Sequence, residues 1–262
     1  MIKDGPRLPG GRYVGMETAP VKPWPHQEIV SRRLIRTWPC SYLLCDEVGL
    51  GKTIEAGLAI RSLYLSGLVR RVMVAPPASL TLQWQREMAD KFFLPFARLR
   101  GGSSFRHEYI FPDENTVSST KMYKPDLSIV STGLMIRTER LEELMRADPF
   151  DIVLVDEAHY ARRKNPKDGE RTVPRYGRLY NTIRDRLVPA GRCLWMATAT
   201  PMQLDWIEVF DLISLTRRIA HFQKDPTLTW AYYRILNKLI HDQEPNRQEW
   251  ELMRCALNSV QR

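Results

Sequence analysis

Five short apolar runs punctuate the first two hundred residues of this 262-residue chain, and helical patterns fill the intervals between them. Four of the runs are apolar nearly throughout, which is typical of strands covered by helices on both faces of a parallel sheet. Alternation of such strands with helices predicts a doubly wound α/β fold with a mainly parallel sheet. The predicted strands are residues 41–45, 71–75, 127–130, 151–155 and 192–196.

The helical patterns carry recognisable ends. One pattern starts at Thr53 and stops before Gly67, a residue suited to a left-handed C-cap. Ser79 is placed to N-cap a second helix over residues 80–91. Two further helices are predicted over residues 138–146 and 176–187, the latter amphipathic. From about residue 213 the pattern is helical without strands, which predicts a helical tail.

A glycine-rich segment, DEVGLGKT, occupies residues 46–53 between the first strand and its helix. Gly49 and Gly51 allow the backbone to approach a phosphate, which the N–H groups at the helix N-terminus can bind. Lys52 can reach the β- and γ-phosphates, and the Thr53 hydroxyl can ligate Mg²⁺. Asp46 stands where the strict Walker pattern has glycine, so a glycine turn beside a surface lysine is the alternative. The flanking strand and helix favour phosphate binding.

Two adjacent carboxylates, Asp156 and Glu157, end the apolar run of residues 152–155. At the carboxyl end of a strand such a pair can divide two tasks, with Asp156 holding Mg²⁺ and Glu157 orienting and deprotonating an attacking water. A helix N-cap is the alternative interpretation. Their place after a phosphate-binding loop favours the catalytic one.

Basic residues outnumber acidic ones by 39 to 30, a formal net charge of +9. Residues 161–192 hold ten lysines and arginines against three acidic residues, a local excess of seven. Such density fits contacts with nucleic-acid phosphates, for which Arg162, Lys164 and Arg175 are candidates. A solvated loop followed by the polar face of a helix is the alternative.

Several classes of protein are disfavoured by the sequence. No apolar run approaches the roughly 20 residues that span a bilayer, and the N-terminus is polar and rich in glycine and proline, unlike a signal peptide. The four cysteines lack the CxxC pairs of zinc sites and predict a reduced, cytoplasmic protein, with Cys193 as a small core residue.

Further motifs complete an ordered set: Pro25-His26-Gln27, RVMVAP at 71–76 with Ser79 and Gln83-Trp84, Ser131-Thr132, DEAH at 156–159 and TATPMQ at 198–203. Together with DEVGLGKT, this set resembles motifs Q, I, Ia, Ib, II and III of Swi/Snf-type superfamily-two helicases and translocases. The resemblance covers residues 25 to 215, the first RecA-like lobe of such motors. The segment DEVGLGKTIEAG is similar to the bacterial branch that includes the RNA-polymerase-recycling ATPase and phage-defence helicases.

The resemblance implies roles for individual residues, with ATP and Mg²⁺ as cofactors. The implied ATP site comprises Gln27, which would read the adenine edge, and Val48, Gly49, Leu50, Gly51, Lys52 and Thr53. Lys52 and Glu157 would be catalytic, and Thr53 and Asp156 would hold the metal. His159, Thr198 and Thr200 would transmit the state of the γ-phosphate. Ser79, Gln83 and Thr132 would contact the nucleic-acid backbone, whereas Trp84 is either a contact or a packing residue.

The resemblance also divides the chain into an extension (residues 1–24), a RecA-like ATP-binding lobe (25–215) and a helical connector toward a second lobe (216–262). In such motors the second lobe supplies an arginine finger. We therefore expect these 262 residues alone to bind ATP weakly and to hydrolyse it slowly.

An ATP-dependent translocase on double-stranded DNA is the preferred function. A strand-separating or restriction-type DEAH helicase is the nearest alternative, and a non-catalytic nucleic-acid-binding or protein-docking module is an alternative of another class. Retention of Lys52, Asp156 and Glu157 favours an active enzyme over that module. These motifs leave the choice between DNA and RNA open.

Overall fold

The described strands of the protein form a single sheet. The computed structural model describes residues 11–45, 51–100, 104–106, 117–118, 125–137, 142–143, 146–166, 173–199, 206–217 and 226–260. The strands are β1 (Tyr42–Cys45), β2 (Val72–Ala75), β3 (Ala97–Arg100), β4 (Ser104–Arg106), β5 (Val117–Ser118), β6 (Leu127–Ile129), β7 (Ile152–Val155) and β8 (Leu194–Thr198). Their order across the sheet is β1-β8-β7-β2-β6-β3-β4-β5.

The sheet is parallel from β1 to β3, and only β4 and β5 pair antiparallel at one end. The predicted doubly wound, mainly parallel fold is therefore confirmed, and all five predicted strands are present. The prediction omits β3, which alternates apolar residues with arginines. Arg98 is nevertheless buried, with its guanidinium donating to Gln85 Oε1 at 3.2 Å. A buried arginine depends on its partner, which the strand's own sequence does not reveal.

The helices lie between and after these strands. The first five are α1 (Val14–Glu17), α2 (Pro25–Thr37), α3 (Lys52–Leu65), α4 (Thr81–Phe92) and α5 (Thr132–Met135). The next helix consists of Arg178–Thr182, a π-helical stretch, Ile183–Leu187, and Val188–Ala190. The last three helices are Trp206–Leu215, Pro226–Ile240 and Arg247–Val260. Single 3₁₀ turns occupy Gly11–Tyr13, Ala78–Leu80 and Ala158–Tyr160.

Most predicted helix ends are close to the observed ones, with one error. Gly67 follows α3 with φ 71°, as a left-handed cap requires. Ser79 is not an N-cap: it lies inside the 3₁₀ turn, where Leu80 N–H bonds Pro77 O at 3.0 Å, and Leu80 precedes α4 without a side-chain cap. The chain begins to coil before α4, so the cap prediction is wrong. The helix predicted over 138–146 lies largely outside the described residues.

Alternation along the strands builds two cores, one on each face of the sheet. Val72 and Val74 face the helices α2, α3 and α4, whereas Met73 and Ala75 face the later helices. The β7 and β8 strands divide their side chains between the two cores in the same way. Strands buried on both faces read as continuous apolar runs, which explains why the sequence revealed them. Cys193 is buried as predicted.

The segment before α2 packs against α3. Met16 is buried, and a Cβ added to Gly15 would lie 2.4 Å from Ser62 Cα, so only glycine permits this approach. The Arg61 guanidinium donates to the Gly15 carbonyl, to Thr18 Oγ1 at 2.8 Å and to Phe92 O at 3.0 Å. These contacts join the first turns of the chain to the lobe.

The last two helices contact each other, and the first of them contacts the lobe. Pro226–Ile240 contacts Trp206–Leu215 on one side and Arg247–Val260 on the other, where Lys238 Nζ lies 2.7 Å from Glu249 Oε1. Among the described helices, none is long and apolar enough to cross a membrane.

Candidate nucleotide and nucleic-acid sites

The carboxyl edge of the sheet gathers the predicted motifs, because the strands that precede them are all parallel. Across this edge the strands stand in the order β1, β8, β7, β2 and β6. The phosphate-loop segment follows β1, the TAT segment follows β8 and DEAH follows β7. The segments predicted to contact nucleic acid follow β7, β2 and β6. The two groups of segments therefore meet at β7.

The described end of the phosphate loop is Gly51, the residue that precedes α3. Its φ is 85°, a conformation that favours glycine, and a Cβ there would lie 2.4 Å from Gln27 Nε2, so any other residue would also displace the Gln27 amide. Lys52 and Thr53 form the first turn of α3, whose N–H groups have no partners within the helix. Val48, Gly49 and Leu50 lie outside the described residues.

Gln27 lies beside this loop on α2. It is only 6% exposed, and its Oε1 accepts a hydrogen bond from Trp24 N–H at 2.9 Å, in a capping box at the start of the helix. The structure thus places Gln27 against Gly51. The adjacent Trp24 indole is exposed, a feature that no sequence pattern indicated.

Asp156 is oriented by two donors. Its Oδ2 accepts a hydrogen bond from Trp84 Nε1 at 2.8 Å, and its Oδ1 accepts one from Glu157 N–H at 2.9 Å. Trp84 and Asp156 are both buried, so Trp84 is a packing residue of α4 and is not available to nucleic acid. An ionised carboxylate keeps further acceptor sites when it makes two such bonds.

Glu157 has an unusual backbone conformation and a buried carboxylate oxygen. Its φ and ψ are 50° and 48°, a left-handed conformation that is uncommon outside glycine and clusters at functional sites. Its Oε2 is buried and has no hydrogen-bond partner among the described residues. His159 Nδ1 lies 3.1 Å from this oxygen and 3.2 Å from Thr198 Oγ1. His159 thus connects the segment after β7 with the last residue of β8, whereas Thr200 lies outside the described residues.

The segments after β2 and β6 are joined to each other. Thr132 N–H donates to Pro76 O at 2.9 Å, and Ser131 Oγ accepts from Leu134 N–H at the start of α5. Ser79 and Gln83 are exposed, and Gln83 Nε2 donates to Glu87 Oε1 at 2.9 Å. Ser79, Gln83 and Thr132 thus lie in the segments that follow two neighbouring strands, β2 and β6, at one edge of the sheet.

The basic stretch after β7 separates into buried and exposed residues. Arg163 is buried and makes two hydrogen bonds with Asp211, at 2.6 and 2.7 Å. Arg162, Lys164 and Arg175 are exposed, and no ion pair links them to other described residues. Arg192 bonds Asp151 at the opposite, amino edge of the sheet. The basic residues of this stretch therefore do not form a single surface.

The roles of two structurally important residues were not predicted from the sequence. Asp211 is the buried partner of Arg163, 48 residues away, and Trp84 is the donor to Asp156, 72 residues away. Separations of this length leave no local pattern. A tryptophan on an amphipathic helix near motif Ia was the only available signal for Trp84.

These features define a class first: a RecA-like nucleotide-binding lobe whose carboxylate pair lies at the same carboxyl edge of the sheet as the end of its phosphate loop. The chain belongs to the SNF2-related domain family, whose model matches residues 32–249. It is 30% identical over 211 residues to the uncharacterized ATP-dependent helicase YqhH of Bacillus subtilis (strain 168), an alignment that covers 78% of this chain and 32% of that protein. The chain thus spans about a third of the length of this relative.

Two solved structures share the fold. Both are of the Sulfolobus solfataricus SWI2/SNF2 ATPase core, one in complex with double-stranded DNA. The complex has a TM-score of 0.60 at 15% identity and covers 92% of this chain and 44% of that one. The core domain has a TM-score of 0.59 at 16% identity and covers 92% and 43%. The predicted resemblance is confirmed, and the chain is a helicase-type ATPase domain of the SNF2 family.

Proposed function

We propose that this domain is the ATP-binding lobe of an ATP-dependent translocase on double-stranded DNA. The position of β7 carries the proposal. One segment after this strand holds the two carboxylates, Asp156 and Glu157, and a few residues later the exposed basic side chains. Loops suited to nucleotide lie on one side of it and loops suited to nucleic acid on the other. Such an arrangement suits a domain that couples hydrolysis to movement along a polymer.

The residues at the nucleotide edge fit a magnesium nucleotide. Asp156 and Thr53 offer a carboxylate and a hydroxyl, the hard oxygen ligands that Mg²⁺ takes when it also binds phosphates. Asp156 is already oriented by Trp84 and by its neighbour's N–H. A bound Mg²⁺ would neutralise charge on the phosphates. Val48, Gly49, Leu50, Gly51 and Lys52 would surround these phosphates, and Gln27 would read the adenine.

Glu157 is the proposed general base. Its side chain is 25% exposed, and Oε2 makes no hydrogen bond among the described residues although His159 Nδ1 lies 3.1 Å away, so the carboxylate can accept a hydrogen bond from a water. A carboxylate that accepts the proton of such a water makes it a stronger nucleophile toward the γ-phosphorus. Lys52 would stabilise the charge on the transferred group. His159, which lies close to both Glu157 and Thr198, is proposed to transmit the outcome to the segment after β8, together with Thr200.

The proposed nucleic-acid surface includes a pair of like charges. Lys164 and Arg175 lie directly opposite each other, because Lys164 N–H donates to Arg175 O at 2.7 Å across an antiparallel bridge. Like charges at such positions are destabilising, whereas a phosphate between them would reverse the sign of the interaction. Arg162, Ser79, Gln83 and Thr132 would extend the surface along the edge. The solved relative in complex with double-stranded DNA supports a duplex as the partner.

A second RecA-like lobe is proposed to complete the ATPase. The described strands belong to one sheet, and an arginine finger in related motors acts from the partner lobe. Residues 216–262 would then connect the two lobes, after the lobe of residues 25–215 and its extension, residues 1–24.

Displacement assays on a protein that joins this domain to a second lobe test the function. A translocase displaces a third strand from a triplex, in an ATP-dependent reaction, and leaves the duplex intact. Strand separation without triplex displacement would support the alternative of a helicase, the word in the name of the Bacillus subtilis relative. Neither activity, with nucleic acid still bound, would support a non-catalytic module.

A further inference from the structure

A buried ion pair joins the segment that carries the exposed basic residues to a helix that follows β8. Arg163 follows β7, and Asp211 lies on the Trp206–Leu215 helix that follows β8. The fork of Arg163 donates to both oxygens of Asp211, at 2.6 and 2.7 Å, and the side chains are 4% and 1% exposed. Burial opposes the charge of Arg163, but the bonds with Asp211 outweigh it and raise the arginine pKa.

Tyr176 and Tyr180 complete this cluster. Tyr176 Oη donates to Asp211 Oδ1 at 3.0 Å, and Tyr180 Oη donates to the Asp211 carbonyl at 3.3 Å. The two rings are stacked, with centroids 3.9 Å apart. We name these four residues, Arg163, Asp211, Tyr176 and Tyr180, the Asp211 clamp. The Asp211 carboxylate therefore receives donors from two separate points of the basic stretch, Arg163 and Tyr176.

Backbone pairing links the buried side chains of the clamp to the exposed side chains of neighbouring residues. Arg163 and Tyr176 form an antiparallel bridge, flanked by bonds from Lys164 N–H to Arg175 O at 2.7 Å and from Gly177 N–H to Arg162 O at 3.2 Å. In paired extended segments successive side chains point to opposite faces. Arg163 and Tyr176 point inward to Asp211, so Arg162, Lys164 and Arg175 share the outward face. We name these three residues the basic triad.

We propose that the Asp211 clamp positions the basic triad for binding nucleic-acid phosphates, an inference that rests on the proposed function. Arg163 is then a positioning residue, and its charge is neutralised internally. Lysine cannot replace it, because an ammonium group lacks the planar fork that binds both carboxylate oxygens. The clamp also joins the segment after β7 to the helix after β8. The basic triad and the carboxylates Asp156 and Glu157 are therefore held by the same segment.

A charge-neutral replacement tests the clamp in the 262-residue chain. Arg163→Met with Asp211→Leu removes one charge of each sign, so the net charge is unchanged, and replacing a buried pair by apolar residues often preserves stability. We expect duplex affinity at 0.1 M salt, measured by fluorescence anisotropy, to fall at least about eightfold, the effect of neutralising one phosphate fewer. The log–log salt slope should flatten by about 0.9 for each phosphate that is no longer neutralised. Thermal unfolding should be nearly unchanged.

Three comparisons distinguish positioning from general structural damage. Arg247→Gln with Glu251→Gln neutralises an exposed pair away from the clamp and should leave affinity unchanged. Arg163→Lys should weaken binding although it retains the charge. Adding the clamp replacement to Arg162→Glu, Lys164→Glu and Arg175→Glu should cause no further loss, because the clamp acts through these side chains. A further loss of the same size, or rescue by lysine, would overturn the inference.

The outcomes also separate this inference from the proposed function. If reversal of the basic triad leaves duplex affinity unchanged, the proposed nucleic-acid surface is wrong. If reversal weakens binding but the clamp replacement binds like the wild type, only the positioning inference is wrong. Should the clamp replacement fail to fold, Tyr176→Phe removes a single hydrogen bond to Asp211 and should weaken binding about two- to tenfold. Wild-type affinity in that variant would then contradict the inference.

Discussion

The proposed nucleotide half and the proposed nucleic-acid half of the sheet edge are built in different ways. Around the nucleotide half, contiguous segments after β1, β7 and β8 each contain their own chemistry, as in residues 46–53 and 156–159. The nucleic-acid half has no comparable segment. It combines a turn after β2, a short helix after β6 and a paired segment after β7. A phosphate group needs converging donors from one loop, whereas a polymer backbone can be contacted at separate points.

Arg163 and Lys164 show how this difference affects interpretation. They are adjacent in the sequence and carry the same charge, yet Arg163 is buried against Asp211 and Lys164 is exposed. Charge density is therefore a weaker guide than a phosphate-loop motif, because it does not say which charges reach the surface. Experiments that perturb each half separately test whether the two halves are functionally distinct.

The largest expected effect is that of joining the domain to a second lobe. The 262-residue chain should hydrolyse ATP about 10³–10⁵ times more slowly than a protein in which it is joined to a second lobe, the contribution of an arginine finger in related GTPases. Steady-state phosphate release with saturating duplex DNA measures this ratio. Equal, DNA-stimulated rates for the two proteins would show that one lobe suffices.

Glu157→Gln should lower the ATP hydrolysis rate about 10²–10⁴-fold in the two-lobe protein, because an amide cannot accept the proton of the attacking water. Binding of magnesium ATP, measured by calorimetry, should survive in this variant. Lys52→Ala is the contrasting variant, and it should lose nucleotide affinity as well. A Glu157→Gln protein with wild-type turnover would remove Glu157 from the catalytic role.

Reversal of the basic triad by Arg162→Glu, Lys164→Glu and Arg175→Glu should affect only the nucleic-acid half. Duplex affinity should fall about 10²–10³-fold at 0.1 M salt, and the salt slope should decrease by roughly one unit for each phosphate that is no longer neutralised. Nucleotide binding should remain, since none of the three belongs to a nucleotide motif.

A matched control for this reversal changes three exposed arginines elsewhere, Arg33, Arg36 and Arg254, to glutamate. Both triple variants lower the formal charge by the same amount. If the two variants lose affinity equally, general electrostatic attraction explains the binding and the triad is not a specific surface.

The smallest expected effect concerns Trp84, a residue of α4 that donates a hydrogen bond to Asp156. Trp84→Phe removes the indole N–H that orients Asp156. Losing such a supporting donor should raise the magnesium concentration needed for half-maximal ATP binding about tenfold. Titration of a fluorescent ATP analogue at several magnesium concentrations measures the effect. Trp38→Phe is the control, because the Trp38 Nε1 has no hydrogen-bond partner among the described residues. Equal results for both variants would exclude an orienting role for Trp84.

Much of the fold was accessible from the sequence for a physical reason. Strands buried on both faces need apolar side chains throughout, so five of the six parallel strands appear as apolar runs. The glycine of the phosphate loop and the carboxylates after β7 are likewise local requirements: Gly51 adopts a φ of 85° that disfavours other residues. By contrast, β3 was missed because its buried arginine depends on Gln85, in α4.

The sequence by itself determined the parallel α/β architecture, the phosphate loop, the carboxylate pair and the family. These features are encoded by residues close together in the chain, whose backbone conformation or burial admits few alternatives. Only the tertiary structure decided that Trp84 orients Asp156, that Arg163 is neutralised by Asp211, and that Arg162, Lys164 and Arg175 share one face. A buried charge or donor is acceptable only where a partner meets it, and that partner lies tens of residues away, where no local pattern records it.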